Sequence, residues 1–181
     1  VIASSVPTGG GLSSSAALEV AIAHLLEAIS GQPVHSRDRV LACVQAERQM
    51  AGVPCGLMDQ TVVDMAEAGH ALAFDCASQD ATPVLLTLDD ISLLVVHSGV
   101  SHALAEGAYA QRRLECEQAA EGLGVSKLRD VVLDDIDRLA SASLRKRVRH
   151  VVTENARVRE AVVAIQKKDW DGLGALMTGS H

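Results

Sequence analysis

The chain has 181 residues, 48% of them hydrophobic, with 16 Lys plus Arg against 23 Asp plus Glu and a formal net charge of −7. Length and apolar share suffice for one large domain or two smaller ones, and the acidic balance excludes nucleic acid or an anionic membrane as the main partner. Four cysteines with no CxxC pair and seven scattered histidines with no HExxH exclude a zinc site or redox dithiol, and with no signal peptide or apolar run long enough to span a bilayer, a cytoplasmic protein is expected.

Val1 to Val6 reads as a short β segment, and Pro7-Thr8-Gly9-Gly10-Gly11 breaks it. Ser13 to Ser15 then open a helix, with a serine available as N-cap. Leu18, Ala21, Ile22, Leu25, Leu26 and Ile29 keep helical spacing until Gly31 and Pro33 stop it. A second helix is predicted over Ser36 to Met50, with Val40, Leu41, Val44 and Ala46 inward, and a third over Gly56 to Ala68. Strands are predicted at His70 to Cys76, Pro83 to Leu88 and Ile91 to His97. Helices follow over Glu106 to Gly122, Leu133 to Ala142, Leu144 to Lys168 and Trp170 to Met177. The order is strand, helices, strands, helices, an α+β pattern and not a regular βαβ array. A boundary between two units is expected near residues 97–105. The basic run Arg145, Lys146, Arg147 and Arg149 reads as a solvated helix face. Phe74, Tyr109 and Trp170 are the sole aromatic residues, too few for a lectin that stacks sugars on rings.

Pro7 to Ala16 is the most informative stretch. Consecutive glycines let the backbone approach a ligand and take positive φ, and the helix that follows offers unpaired N–H groups and a positive dipole end. A polyphosphate suits such a place, and serine hydroxyls there suit phosphate oxygen or a phosphate-bound Mg²⁺. No Gly-Lys-Ser/Thr follows, so this is not a Walker A loop. Alone, the pattern also fits a glycine turn with a serine cap.

Glu47 lies late in the second predicted helix and Asp59 early in the third, with Ala51-Gly52-Val53-Pro54-Cys55-Gly56 between them. A carboxylate in a first helical turn is kept ionised by the dipole and suits orienting a hydroxyl, taking its proton or lying near a metal. Taken singly, Asp59 also reads as a helix N-terminal acid and Glu47 as a surface acid.

Pro7-Thr8-Gly9-Gly10-Gly11-Leu12-Ser13-Ser14-Ser15-Ala16 resembles the second signature motif of the GHMP kinases in its galactokinase form. Gly52-x-Pro-Cys-Gly-Leu-Met-Asp-Gln60 is similar to the segment ending in Met-Asp-Gln of the same family. Val100 to Ala105 and Tyr109 to Cys116 are similar to a further stretch of it. The resemblance implies a two-lobed α+β architecture. Residues 1–100 would be part of the ribosomal-S5-like, ATP-binding lobe, and 101–181 the helical part of a ferredoxin-like C-terminal lobe. It implies transfer of the γ-phosphoryl group of ATP to the C1 hydroxyl of galactose. Gly9, Gly10, Gly11, Leu12, Ser13, Ser14 and Ser15 would hold the nucleotide, and Ser15 and Glu47 the Mg²⁺. Asp59 would be the catalytic residue at the sugar hydroxyl, with Gly56 and Tyr109 also on the sugar. Tyr109 reads equally well as an amphipathic helix residue. A related acceptor such as N-acetylgalactosamine, or a non-catalytic galactose and ATP sensor, is the competing reading.

Two positions depart from the family pattern: Arg48 stands where His is frequent, and Thr178-Gly179 precede Ser180-His181 where Glu is common. The family's N-terminal sugar signature and C-terminal Gly-rich motif do not occur in the sequence, so a segment of a protein roughly twice as long is expected. Strands lacking their partners would then leave open edges.

Overall fold

The computed structural model describes residues 1–9, 11–52, 54–89, 91–96 and 105–181, with backbone alone at 105, 106 and 108. It divides into two units, Val1–His102 and Ala103–His181.

The first unit contains α1 (Ser14–Ser30), α2 (Ser36–Met50), α3 (Met58–Met65) and the strands β1 (His70–Asp75) and β2 (Asp80–Leu85). β1 and β2 form an antiparallel hairpin with His70 opposite Leu85 and Asp75 opposite Asp80. Asp75 Oδ1 accepts from the N–H groups of Ala77 and Ser78 at 2.8 and 3.2 Å, an Asx turn that closes the loop. The three helices pack on one another through Ala16 and Val20 of α1, Val40, Cys43 and Val44 of α2, and Gln60 and Thr61 of α3, all buried. Gly31 ends α1 in the left-handed region with its N–H on Glu27 O, the C-terminal cap that glycine favours.

Several expectations are corrected here. Residues 1–6 and 91–96 form no strand. Among the described residues the sheet has β1 and β2 alone, and a strand without a neighbour has no ladder for its N–H and C=O groups. β2 begins at Asp80, ahead of the predicted Pro83. The large apolar side chains of α1 do not face the unit's core: Leu18, Ile22, Leu25, Leu26 and Ile29 are all exposed. Packing with α2 and α3 uses the small residues of the adjacent face, Ala16 and Val20, which allow close helix approach. On α2, Leu41 and Ala46 are likewise exposed.

The second unit contains α4 (Ala105–Leu123), α5 (Ala142–Lys167) and α6 (Trp170–Ser180), with short 3₁₀ segments at Leu128–Asp130 and Leu133–Arg138. The latter replaces the α-helix predicted over Leu133 to Ala142. Asp134, Asp135 and Asp137 are poor helix formers that compete for local N–H groups, and Asp135 Oδ2 accepts from Val132 N at 3.3 Å. Ala119, Ala120, Leu123, Leu128, Val131, Ile136, Leu139 and Val148 form its core. Arg147 of α5 donates to Glu115 of α4 at 2.6 Å beside that core. No helix of the described residues is long and apolar enough to cross a membrane.

Candidate active site

The turn before α1 has Gly9 at φ 71° and Gly11 at φ 72°, left-handed values that glycine adopts without strain. Gly10 lies outside the described residues. Ser13 occupies the N-cap position at φ 54°, ψ 44° and makes no side-chain cap hydrogen bond. The expected serine cap is thus corrected: capping requires an extended backbone that brings the hydroxyl over the second and third helical N–H groups, and Ser13 is left-handed. The first-turn N–H groups have no intrahelical partner, and the Ser13 side chain does not cover them. A helix end of this kind suits an anion, and here Ser15 and Leu12 are exposed.

Asp59 is exposed in the first turn of α3. Its neighbour Gln60 is fully buried, because successive residues of an α-helix point about 100° apart. Gln60 Nε2 donates to Glu47 Oε2 of α2 at 2.6 Å and to Glu19 Oε2 of α1 at 3.0 Å. One amide thus joins all three helices. The two carboxylates dictate its orientation, since the opposite one would set a carbonyl oxygen against both. Gln60 Oε1 is buried without a hydrogen-bond partner, a cost of about 1–3 kcal/mol that the two carboxylate bonds offset. Burial raises the pKa of Glu19; the Gln60 hydrogen bond pulls it back, and the Glu47 charge adds to the rise.

The connector from α2 to α3 is clasped by Arg48, whose Nε and Nη2 donate to Cys55 O at 3.1 and 2.6 Å. Arg48 therefore anchors the loop that presents Gly56. A Cβ on Gly56 would meet nothing within 4 Å, so the space beside its backbone is open to a ligand. The Cys55 thiol is pushed up to about 11, by burial first and then by its hydrogen bond to the Glu47 carboxylate. It is not a nucleophile at neutral pH.

A second polar hub stiffens the same three helices. The Arg39 guanidinium of α2 donates to both Asp64 oxygens at 2.6 and 3.0 Å, to Glu27 Oε1 of α1 at 2.6 Å, to Val34 O at 3.0 Å and to Ser36 Oγ at 3.1 Å. His24 Nε2 lies 3.1 Å from Asp64 Oδ1. Sequence reasoning gave no role to Glu19, Arg39, Gln60 or Asp64. The signal for Gln60 lay in Met-Asp-Gln itself, since the residue after an outward-facing one on a helix turns toward the core.

The structure brings Glu47 together with α3, the helix of Asp59, through Gln60, and places Ser15 four residues before Glu19 on α1. Tyr109 belongs to the second unit, on α4, and is 48% exposed. Among the described residues no group of at least three His, Cys, Asp or Glu is arranged to hold a metal. The donors available, a serine hydroxyl and a half-buried carboxylate, fit Mg²⁺, which favours one or two protein oxygens with the rest from substrate phosphate and water.

Residues 1–67 match the family model described as GHMP kinases N terminal domain. Over its full length the chain is 41% identical to galactokinase of Homo sapiens, covering 47% of that protein. It is also 41% identical to galactokinase of Haemophilus influenzae (strain PittEE), again over its full length and covering 48% of the relative. The crystal structure of Lactococcus lactis galactokinase complexed with galactose superposes with a TM-score of 0.91 at 27% identity, over 97% of this chain and 47% of that one. The chain as a whole is similar to these galactokinases and has the fold of the part of the Lactococcus lactis protein that it matches, and it spans about half the length of these relatives.

Proposed function

We propose that the protein carrying this chain is an ATP-dependent galactokinase that transfers the γ-phosphoryl group to the C1 hydroxyl of galactose. The observation that supports it best is the Gln60 amide, which seats the Glu47 carboxylate at 2.6 Å on the inner side of the helix that shows Asp59 outward. A carboxylate suited to hold a metal ion and a proton acceptor thereby flank one helix end, as phosphoryl transfer needs. The relationship to galactokinases and the galactose bound in the Lactococcus lactis protein support the choice of sugar.

In this reading the first unit is the ATP-binding lobe. Gly9 to Ser15 and the α1 N-terminus hold the triphosphate through backbone N–H groups and the helix dipole. Ser15 and Glu47 would hold Mg²⁺, which when bound neutralises phosphate charge. Asp59, in the first turn of α3, orients the C1 hydroxyl and accepts its proton as the oxygen attacks phosphorus and ADP departs. Gly56 gives the sugar close access to the backbone. Four free cysteines suit a reducing cytoplasm.

The test is ATP-dependent phosphorylation of a monosaccharide panel by the complete gene product, with Asp59→Ala beside it. Turnover on galactose that collapses in the variant while ATP binding persists supports the reading. Sugar and ATP binding without turnover on any sugar overturns it in favour of a sensor. A preference for N-acetylgalactosamine corrects the acceptor.

A further inference from the structure

We propose that Gln60 is a positioning residue of the phosphoryl-transfer site, its buried amide, steadied by Glu19, fixing the Glu47 carboxylate where Mg²⁺ is held. This rests on the kinase reading for the role of Glu47; the geometry stands apart from it. The two side chains assigned to the metal come from different helices, Ser15 from α1 and Glu47 from α2. Ser15 and Glu19 are four residues apart on α1 and so share one face, a turn from each other. Glu19 Oε2 accepts from Gln60 Nε2 at 3.0 Å, and Glu47 Oε2 accepts from the same nitrogen at 2.6 Å. An unbroken path therefore runs from the Ser15 face of α1, through Glu19 and Gln60, to Glu47.

The Gln60 bond to Glu47 is short and charge-assisted. It removes the freedom of a three-torsion side chain that is otherwise only half buried. The buried Gln60 oxygen has no partner, so the residue is not placed to satisfy itself: both of its N–H bonds are directed at carboxylates. A fastener needed for packing alone would be served by an apolar side chain of the same size. The same helical turn carries Asp59, so holding Gln60 also fixes where Asp59 stands relative to Glu47. Partners of this kind change metal affinity or activity 10- to 100-fold when removed, a span of roughly that order in known metal sites.

The experiment measures Mn²⁺ binding by electron paramagnetic resonance in the complete gene product, with a non-hydrolysable ATP analogue present, for wild type, Gln60→Met, Gln60→Asn, Glu19→Ala and Glu19→Gln. Nucleotide binding in EDTA and the melting temperature are read alongside. The expected result is an Mn²⁺ dissociation constant raised about tenfold in Gln60→Met and Glu19→Ala, with metal-free nucleotide binding unchanged. Glu19→Gln, which keeps an acceptor for the amide, should restore it to near the wild-type value. Should Gln60→Met not fold, Gln60→Asn, too short to reach both carboxylates, carries the same expectation. A lowered melting temperature with an Mn²⁺ constant within about twofold of wild type, well short of the expected change, overturns the proposal and leaves Gln60 a packing residue. Wild-type protein that binds Mn²⁺–nucleotide but phosphorylates no sugar overturns the kinase reading alone. Wild-type protein that binds no Mn²⁺–nucleotide overturns both.

Discussion

Arg39 of α2 and Asp64 of α3 form a two-pronged ion pair, Nε to Oδ1 at 2.6 Å and Nη2 to Oδ2 at 3.0 Å, with the Asp64 side chain wholly buried. Removing Asp64 leaves the buried Arg39 guanidinium with Glu27 as a carboxylate partner but strips the Asp64 side from its fork. Asp64→Ala should therefore cost about 1–3 kcal/mol, read as a lower urea midpoint of the intact protein at unchanged slope. A loss under about 1 kcal/mol, the worth of a surface pair, would show that the pair is not a structural element.

The same pair sets an acid limb of stability. Burial works against ionised Asp64, but the Arg39 hydrogen bonds and charge outweigh it and hold the carboxyl below its usual range. A depressed folded-state pKa contributes stability that is fully present above the unfolded value of about 3.9 and is lost as pH falls through the folded value. The melting temperature should be flat from pH 7 to about 5, where the unfolded carboxyl is still largely ionised, and then drop. Asp64→Asn should lower the plateau and shrink the drop; an unchanged drop would assign it to other carboxylates.

Asp59→Ala should reduce kcat by about 10²- to 10⁴-fold, the range for loss of a positioned proton acceptor, with stability within about 0.5 kcal/mol because the side chain is exposed. Steady-state kinetics and thermal melting on one preparation check both halves. A variant that loses activity and stability together would make Asp59 a structural residue.

Cys55 and Cys76 should differ in alkylation. Cys76 is exposed, whereas Cys55 is partly buried with its thiol pushed up to about 11. Iodoacetamide at pH 8 should modify Cys76 first and Cys55 slowly, because the thiolate is the reacting form. Peptide mass mapping over time shows the order; fast labelling of Cys55 would mean that the clasp from Arg48 opens readily.

Lys168 ends α5 at φ 56°, ψ 32°, its N–H on the carbonyls of Ala164 and Ile165. A non-glycine residue there carries strain, so Lys168→Gly should stabilise the second unit by up to about 1 kcal/mol, the left-handed penalty. Hydrogen exchange at α5 amides should slow accordingly; no change would place the strain relief elsewhere.

Local pattern alone determined much of this protein. The bounds Ser36–Met50 of α2 followed from helical spacing and its stop signals, because α-helix hydrogen bonds join residues four apart. The glycine turn into α1, the hairpin strand at His70 and the Asp59 turn were legible for the same reason, as were the motifs that tie the chain to galactokinases. Tertiary structure decided what depends on distant partners. Residues 1–6 and 91–96 have strand-like composition but no strand, since β structure requires a neighbour that composition cannot supply. The outward face of α1 held the larger apolar residues, while close approach of α2 and α3 selected the small ones. Gln60 became the meeting point of Glu19 and Glu47, residues 41 and 13 positions away, because a buried amide is placed by packing in three dimensions and leaves no periodic trace along the chain.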